Sequence, residues 1–258
     1  FWAGRAGVAV LLWRLLLTSG TGSIFAFLVA RQAYGSALLA PLFILMSFSW
    51  GLAVFLIVRS AALACSGRDP EPEFQRRSAR LLGIFVAASL FFVAVHHATN
   101  LYFARQQAFE RFILADGGLY PWLFWGGYVL AGSVLPLALL LRPTPLGART
   151  TLIAALLVVL GAFAWLYVFI VGAQAFPLDI FPGYAASSSF ADGAISPYTP
   201  SLPEWLLGIG GVAPDAGVAG FPASATLSPR AATDARAIAG AGGGADLAGF
   251  TDPPPGRR

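Results

Sequence analysis

The chain has 258 residues, of which 57% are hydrophobic and only 11% are charged. A soluble domain carries about 25% charged residues, so this composition excludes a soluble enzyme and a nucleic-acid-binding domain. It predicts an all-α fold, a polytopic transmembrane helical bundle. The single cysteine, Cys65, excludes a disulfide framework and a cysteine-rich iron–sulfur or zinc site within the chain.

Five apolar stretches are long enough, at about 20 residues, to cross a hydrocarbon core of about 30 Å as helices. They cover about residues 8–30, 37–58, 79–103, 119–141 and 150–173. The first stretch is interrupted by Arg14 and by the polar run from Thr18 to Ser23, which predicts a break in that helix. The sequence thus predicts five spans, of which the first is irregular.

The two ends of the chain differ from the apolar middle. A sixth helix, beginning at Ser201 with Glu204 at its third position, is predicted to be too short to span a membrane. Residues 214–258 are rich in alanine, glycine and proline, so we predict a disordered tail after a transmembrane domain that covers 1–213. Because the chain begins at Phe1, we also expect an N-terminally incomplete sequence.

The distribution of arginine predicts the orientation of the bundle in the membrane. The 59–80 loop contains five arginines, whereas the 174–201 loop contains no basic residue. Cytoplasmic loops carry the excess of positive charge in membrane proteins. We therefore expect the 59–80 loop to be cytoplasmic and the 174–201 loop to be periplasmic, in a bacterial cytoplasmic membrane.

The polar residues of the third span lie near one membrane surface. His96 and His97 follow Ser78 by eighteen and nineteen residues, which is roughly 27 Å along a helix. Asn100 is four residues after His96 and three after His97, so the three side chains can share one side of the helix. We place them near the outer surface.

Further candidates fall at the same outer level, and together they suggest a site for a group that exchanges protons. They are Asp116, Gln174, Asp179, Asp192 and Glu204. A histidine beside acids and amides suits the head group of a quinone, whose reduction takes up protons. In this interpretation the catalytic residues are His97, His96, Asp116 and Asp179, with Asn100 and Gln174 as hydrogen-bonding residues that bind the quinone. The alternative is that the histidines only bond to a neighbouring carbonyl at a helix end.

The number of histidines in the sequence indicates whether this chain alone can bind a haem. A membrane b-haem needs two axial ligands on opposite faces of the iron, and both are commonly histidine. The chain has only His96 and His97, which are adjacent on one helix and about 100° apart. We therefore expect no haem bound by two histidines of this chain, and we predict no metal site.

Several motifs resemble the NrfD family, the polysulfide-reductase-type (PsrC-like) membrane subunits. They are Gly22-Ser23-Ile24-Phe25, Leu28-Val29-Ala30-Arg31, FPG at 181–183, SSSFADG at 187–193 and YTPSLPEWLLGIGG at 198–211. The segments Asn100-Leu101-Tyr102 and Asp116-Gly117-Gly118 are similar to the DsrP-like branch, associated with dissimilatory sulfite metabolism, and to the HybB-like branch. The resemblance covers about residues 15–213.

The resemblance implies a haem-free subunit that exchanges electrons with membrane quinone, either menaquinone or ubiquinone. It implies a ferredoxin-like iron–sulfur subunit as direct partner and a further catalytic subunit beyond it. It also implies that the chain is the C-terminal half of a longer fold and lacks the N-terminal helices.

Two other functions remain open at this point. The chain could be a non-catalytic anchor that holds an iron–sulfur or catalytic subunit without contacting quinone. It could also be a secondary transporter, a class that uses paired broken helices and polar residues near the middle of the membrane. The run from Thr18 to Ser23 is one such feature, but no counterpart occurs in the later helices.

Overall fold

The computed structural model of the protein describes residues 2–67, 69–116, 118–142, 147–178, 195, 198, 200–208 and 210. All regular secondary structure in these ranges is helical, which confirms the predicted all-α class. Contacts divide the chain into two units, Phe1–Thr199 and Pro200–Arg258. Asp179 and the predicted 214–258 tail lie outside the described residues.

The first unit consists of eight α-helices and three segments of the wider π-helical winding, counted over its described residues. The α-helices are α1 (Trp2–Phe27), α2 (Leu39–Cys65), α3 (Pro72–Tyr102), α4 (Ala104–Arg111), α5 (Leu119–Pro121), α6 (Leu135–Leu140), α7 (Ala148–Tyr167) and α8 (Ala173–Ala175). The π-helical segments are Phe112–Asp116, Trp122–Val134 and Val168–Gly172. Because α5 to α6 and α7 to α8 are each continuous through a π-helical segment, they form the fourth and fifth long helices.

Five helices are long and apolar enough to cross a membrane, as the sequence predicted. They are Gly4–Phe27, Leu39–Cys65, Pro72–Tyr102, Leu119–Leu140 and Ala148–Ala175. The third begins about two turns before its apolar part, because Pro72 suits the first helical turn and Glu73 pairs with Arg77. The protein is therefore a multi-pass integral membrane protein.

The predicted break in the first span is wrong. Helix α1 is continuous from Trp2 to Phe27. The hydroxyl groups of Thr18, Ser19, Thr21 and Ser23 each donate to the backbone carbonyl four residues earlier, at 2.7–3.0 Å. These bonds satisfy the polar side chains within the helix, so the polar run needs no unwinding.

In the second unit, residues 202–208 form the short helix that the sequence predicted. The Oγ of Ser201 donates to Glu204 Oε2 at 2.9 Å, and the same oxygen accepts from the Ser201 backbone N–H at 2.6 Å. The Glu204 side chain thus reaches back to the N-cap residue, one half of a capping box.

The bundle has two ends, which we name by their residues. The histidine end contains the end of α1, the start of α2 and the end of α3, and the arginine end contains the end of α2 and the start of α7. An aromatic cluster near the histidine end is built around Phe169, whose ring lies 4.6 Å from that of Trp165 and 5.1 Å from that of Tyr34. Toward the arginine end, smaller side chains such as Ala79 and Ala154 form the core.

The segment between α1 and α2 is hydrogen-bonded to the fifth span at the histidine end. Arg31 donates through Nη1 to the carbonyl of Ala173 at 2.9 Å, and Tyr34 donates through its hydroxyl to the carbonyl of Phe169 at 3.0 Å. Burial raises the pKa of Tyr34 to about 12, although the positive charge of Arg31 opposes this shift. The two bonds hold the connection between α1 and α2 against the last turns of the fifth span.

The fourth and fifth spans cross at two glycines. A methyl group added at Gly132 would lie 2.5 Å from the Cα of Gly161, and one added at Gly127 would lie 2.8 Å from the Cβ of Ala164. No side chain fits at Gly132 because the neighbouring atom is backbone. This glycine crossing is the small-residue helix contact common in membrane proteins.

The orientation can be tested with the native thiol of Cys65, which is free and exposed at the arginine end. We predict that in intact cells Cys65 resists a membrane-impermeant thiol reagent and reacts only after permeabilisation, because arginine-rich loops stay cytoplasmic. In a Cys65→Ala background, Ala104→Cys at the histidine end should react without permeabilisation. The opposite labelling pattern would show that the bundle is inverted.

Candidate functional site

The buried face of α3 ends in a polar group of residues. His96 is 4% exposed and Asn100 is 1% exposed, and both follow the buried Ser89 and Val93 along the same face of the helix. The amide Nδ2 of Asn100 lies 3.2 Å from Nε2 of His96, so the two side chains share one side of α3 as their spacing predicted. This placement gives the histidine end a polar interior.

Helix α4 brings an acid to this polar group. Its residues Ala104–Arg111 follow α3 after a single non-helical residue, and Arg105 and Gln107 on its outer face are exposed. The opposite face carries Phe109 and Glu110, which are 5% and 0% exposed. Glu110 is thus fully buried because α4 folds its apolar face back onto the end of α3.

The Glu110 carboxylate connects the polar residues of α3. Oε2 lies 2.6 Å from Nδ1 of His97, and Oε1 accepts a hydrogen bond from Nδ2 of Asn100 at 2.8 Å. A buried carboxylate is very unfavourable unless it is paired and hydrogen-bonded, and here both oxygens have a partner. We call His96, His97, Asn100 and Glu110 the Glu110 cluster.

Two buried atoms of the Glu110 cluster have no hydrogen-bond partner among the described residues. They are Nδ1 of His96 and Oδ1 of Asn100. Buried polar atoms are nearly always bonded to protein or to an ordered small molecule. The cluster therefore has capacity for a polar ligand or water.

His97 is the member of the cluster closest to the surface of the bundle. Its side chain is 15% exposed, and its ring lies 4.7 Å from that of Phe124 in an edge-to-face contact. Since Nδ1 faces Glu110, the ring is held in one orientation. His97 thus connects the buried carboxylate to the partly exposed edge of the cluster.

The structure does not bring the other predicted site residues into hydrogen-bond contact with the Glu110 cluster, as far as they are described. Asp116 is exposed, with its carboxylate 3.9 Å from Nε of Arg111. The Gln174 side chain is exposed, and its backbone carbonyl accepts from Arg31 at 3.3 Å. Asp179 lies outside the described residues.

Sequence reasoning missed Glu110, which is the centre of the cluster. One signal was available: Glu110 is the only acid between Glu73 and Asp116, and it stands between Phe109 and an apolar run that begins at Phe112. A lone acid this close to apolar residues on both sides along the chain is a signal of burial. What the sequence could not show is that α4 folds back onto α3.

The described residues include no group of three or more histidine, cysteine, aspartate or glutamate side chains placed to hold a metal ion. The rings of His96 and His97 are 5.5 Å apart between centroids and are directed to Asn100 and Glu110 respectively. Adjacent histidines in this arrangement cannot supply the two opposite axial ligands of one haem.

Comparison with known proteins gives one family and two relatives. A family described as polysulphide reductase, NrfD, matches residues 3–178. A protein of Archaeoglobus fulgidus named "Hdr-like menaquinol oxidoreductase integral membrane subunit" is 32% identical over 211 residues, which are 81% of this chain and 53% of the relative. A putative membrane subunit of a dimethyl sulfoxide reductase from Halobacterium salinarum is 30% identical over 223 residues, covering 81% of this chain and 49% of the relative.

The chain thus spans about half the length of the curated relatives that it matches. No solved structure gives a significant match to it.

Proposed function

Since this chain belongs to the polysulphide reductase (NrfD) family, we propose that it is the quinone-linked membrane subunit of a respiratory oxidoreductase complex. The relative named as a menaquinol oxidoreductase membrane subunit supports this assignment. The Glu110 cluster is the observation that carries the proposal, because it places proton-exchanging groups at one end of a membrane bundle.

The Glu110 cluster fits the chemical needs of a quinone head group. The buried and unpartnered Nδ1 of His96 and Oδ1 of Asn100 offer hydrogen bonds that no described residue uses. The side chain of His97 is 15% exposed, so the cluster has an edge that a ligand can reach. A bound quinone supplies chemistry in which two electrons and two protons are transferred.

The residues of the cluster have separate roles in this proposal. Glu110 fixes the orientation of His97 and stores a proton within the 2.6 Å hydrogen bond to Nδ1. His97 exchanges a proton with the ligand through its remaining ring nitrogen, Nε2, as a general acid or base. His96 and Asn100 orient the ligand by hydrogen bonding.

Electrons must come from or go to another subunit. The chain has one cysteine, whereas iron–sulfur clusters use four cysteine ligands, or two with two histidines. We propose a ferredoxin-like iron–sulfur subunit as the direct electron partner and a further catalytic subunit beyond it, as the family resemblance implies. In the orientation predicted from the loop charges, the Glu110 cluster faces the periplasmic side of a bacterial cytoplasmic membrane.

The proposal is tested by quinol oxidation and quinone-analogue binding in membranes that contain the whole complex. We expect His97→Ala to lower turnover per assembled complex by about 10²-fold, the size of effect typical of a lost acid–base group. His96→Ala should weaken binding of the analogue. Thr99→Ala is a matched control, because Thr99 lies between His97 and Asn100 and its one hydroxyl bond among the described residues is to the carbonyl of Val95.

Turnover must be normalised to the amount of assembled complex, since a purely structural histidine would change that amount instead. The contrary result is a complex that assembles normally but binds no quinone analogue, and whose turnover neither histidine variant alters. The chain would then be an anchor, and the proposal would be wrong.

A further inference from the structure

Helix α1 carries a charge near the middle of the membrane. Arg14 is ten residues after Gly4, the start of the span that ends at Phe27, which is about 15 Å along the helix. Arginine side chains near the ends of a span can reach the membrane surface, but Arg14 lies too deep for this. An ionisable residue at such a depth indicates a partner of opposite charge.

Arg14 has no hydrogen-bond or ion-pair partner among the described residues, and its side chain is exposed. The neighbouring hydroxyls donate to backbone carbonyls, and no described hydroxyl accepts a hydrogen bond from the guanidinium. Thr18 donates to the carbonyl of Arg14 at 2.9 Å, Thr21 to that of Leu17 at 3.0 Å and Ser47 to that of Ile44 at 2.8 Å. The Arg14 guanidinium therefore has a positive charge and hydrogen-bond donors that no described residue in this region pairs with.

The same part of α1 borders an open groove. Between α1 and α2 the groove has a volume of about 190 Å³ and is lined by Arg14, Leu17, Thr21, Ser47 and Trp50. In the 18-residue apolar stretch of α1, only 6% of the residues are buried. The corresponding stretches of the other four spans are 28–44% buried. Helix α1 is packed tightly at its other end, where a methyl group on Gly22 would lie 2.7 Å from the Cα of Ala40.

We propose that this groove, which we call the Arg14 groove, binds a further membrane-spanning helix whose aspartate or glutamate pairs with Arg14. A lipid phosphate lies at the membrane surface and so does not reach this depth. A second copy of this chain does not supply the acid: within the five described spans the one acidic residue is Glu73, which lies at the arginine end and pairs with Arg77. This inference does not depend on the proposed function.

The test is photo-crosslinking in membranes of the source organism, with a benzophenone amino acid in place of Leu17. The matched control replaces Leu16, which is also exposed and lies about 160° around α1 from Arg14. We expect a crosslink from position 17, and not from position 16, to an apolar helix that carries an acid within one turn of the crosslinked residue. Peptide mass spectrometry identifies the helix and shows whether it belongs to the same polypeptide or to another subunit.

Charge variants decide whether Arg14 holds that helix. Arg14→Leu should reduce the crosslink by about tenfold, the equivalent of one interhelical polar interaction, whereas Arg14→Lys should retain most of it. Arg14→Glu should abolish the crosslink, and replacing the acid of the captured helix by arginine should restore it. Membrane insertion is the folding control, and Arg14→Leu should not impair it because the substitution removes a charge from lipid.

The proposal is overturned if position 17 crosslinks only to lipid, to quinone, to a second copy of this chain or to a helix without an acid. It is equally overturned if Arg14→Leu leaves the crosslink unchanged.

Discussion

Glu110→Leu is expected to lower quinol-linked turnover per assembled complex by about 10³–10⁴-fold, at the upper end of the range for acid–base groups. The physical reason is that one carboxylate holds Nδ1 of His97 at 2.6 Å and Nδ2 of Asn100 at 2.8 Å. Its removal frees the His97 ring to rotate, takes away the Glu110 partner of each of these two nitrogens and eliminates the proton that the pair can store. The measurement is steady-state quinol oxidation in isolated membranes.

Glu110→Gln separates proton exchange from simple packing. The glutamine amide has nearly the same shape and can still accept from Asn100, but it carries no exchangeable carboxyl proton. If Glu110 handles protons, turnover should remain low in Glu110→Gln while the amount of assembled complex recovers. Glu73→Gln is the control, since the Glu73–Arg77 pair is exposed and such pairs contribute little. Normal turnover in Glu110→Gln would mean that Glu110 serves packing alone.

Gly161→Leu is expected to lower the free energy of unfolding of the bundle by about 3 kcal/mol, the upper end of the usual cost of overpacking. Gly161 lies against the Cα of Gly132, so a leucine side chain there meets backbone, which cannot move aside as a flexible side chain does. The fourth and fifth spans would have to separate. The measurement is thermal unfolding in a mild detergent, which should give a clearly lower Tm.

The matched control is Gly51→Leu in α2, because a Cβ at Gly51 would have no atom of the described residues within 4 Å. If Gly161→Leu lowers the Tm more than Gly51→Leu does, the difference measures how much the glycine crossing stabilises the bundle. The general effect of placing a leucine in a span is the same in both variants. An equal Tm in the two variants would show that the crossing does not stabilise the bundle. Turnover per folded molecule should be normal in both.

The sequence by itself determined the class of the protein and the number of spans. In the hydrocarbon core, backbone N–H and C=O groups must be hydrogen-bonded within the protein. An apolar stretch that is long enough to cross the membrane therefore forms a helix. The ends of the second, fourth and fifth spans were accordingly predicted to within a few residues, except that α2 continues through Arg59 to Cys65. Helical periodicity also placed Asn100 beside His96, because residues four apart share a side of a helix.

Only the tertiary structure revealed which polar residues meet. Glu110 lies in a connecting segment, and it is buried because α4 folds back onto α3. No local sequence pattern predicts that fold. In the same way, local hydrogen bonds to carbonyls four residues earlier kept α1 continuous where composition suggested a break.

The contact of Gly132 with Gly161 depends on where two helices cross, and the open groove at Arg14 on where two helices separate. Spans arise from interactions between neighbouring residues and the bilayer, which the sequence contains directly. Sites and crossings arise between residues distant in sequence, and their positions follow from the packing of the whole bundle.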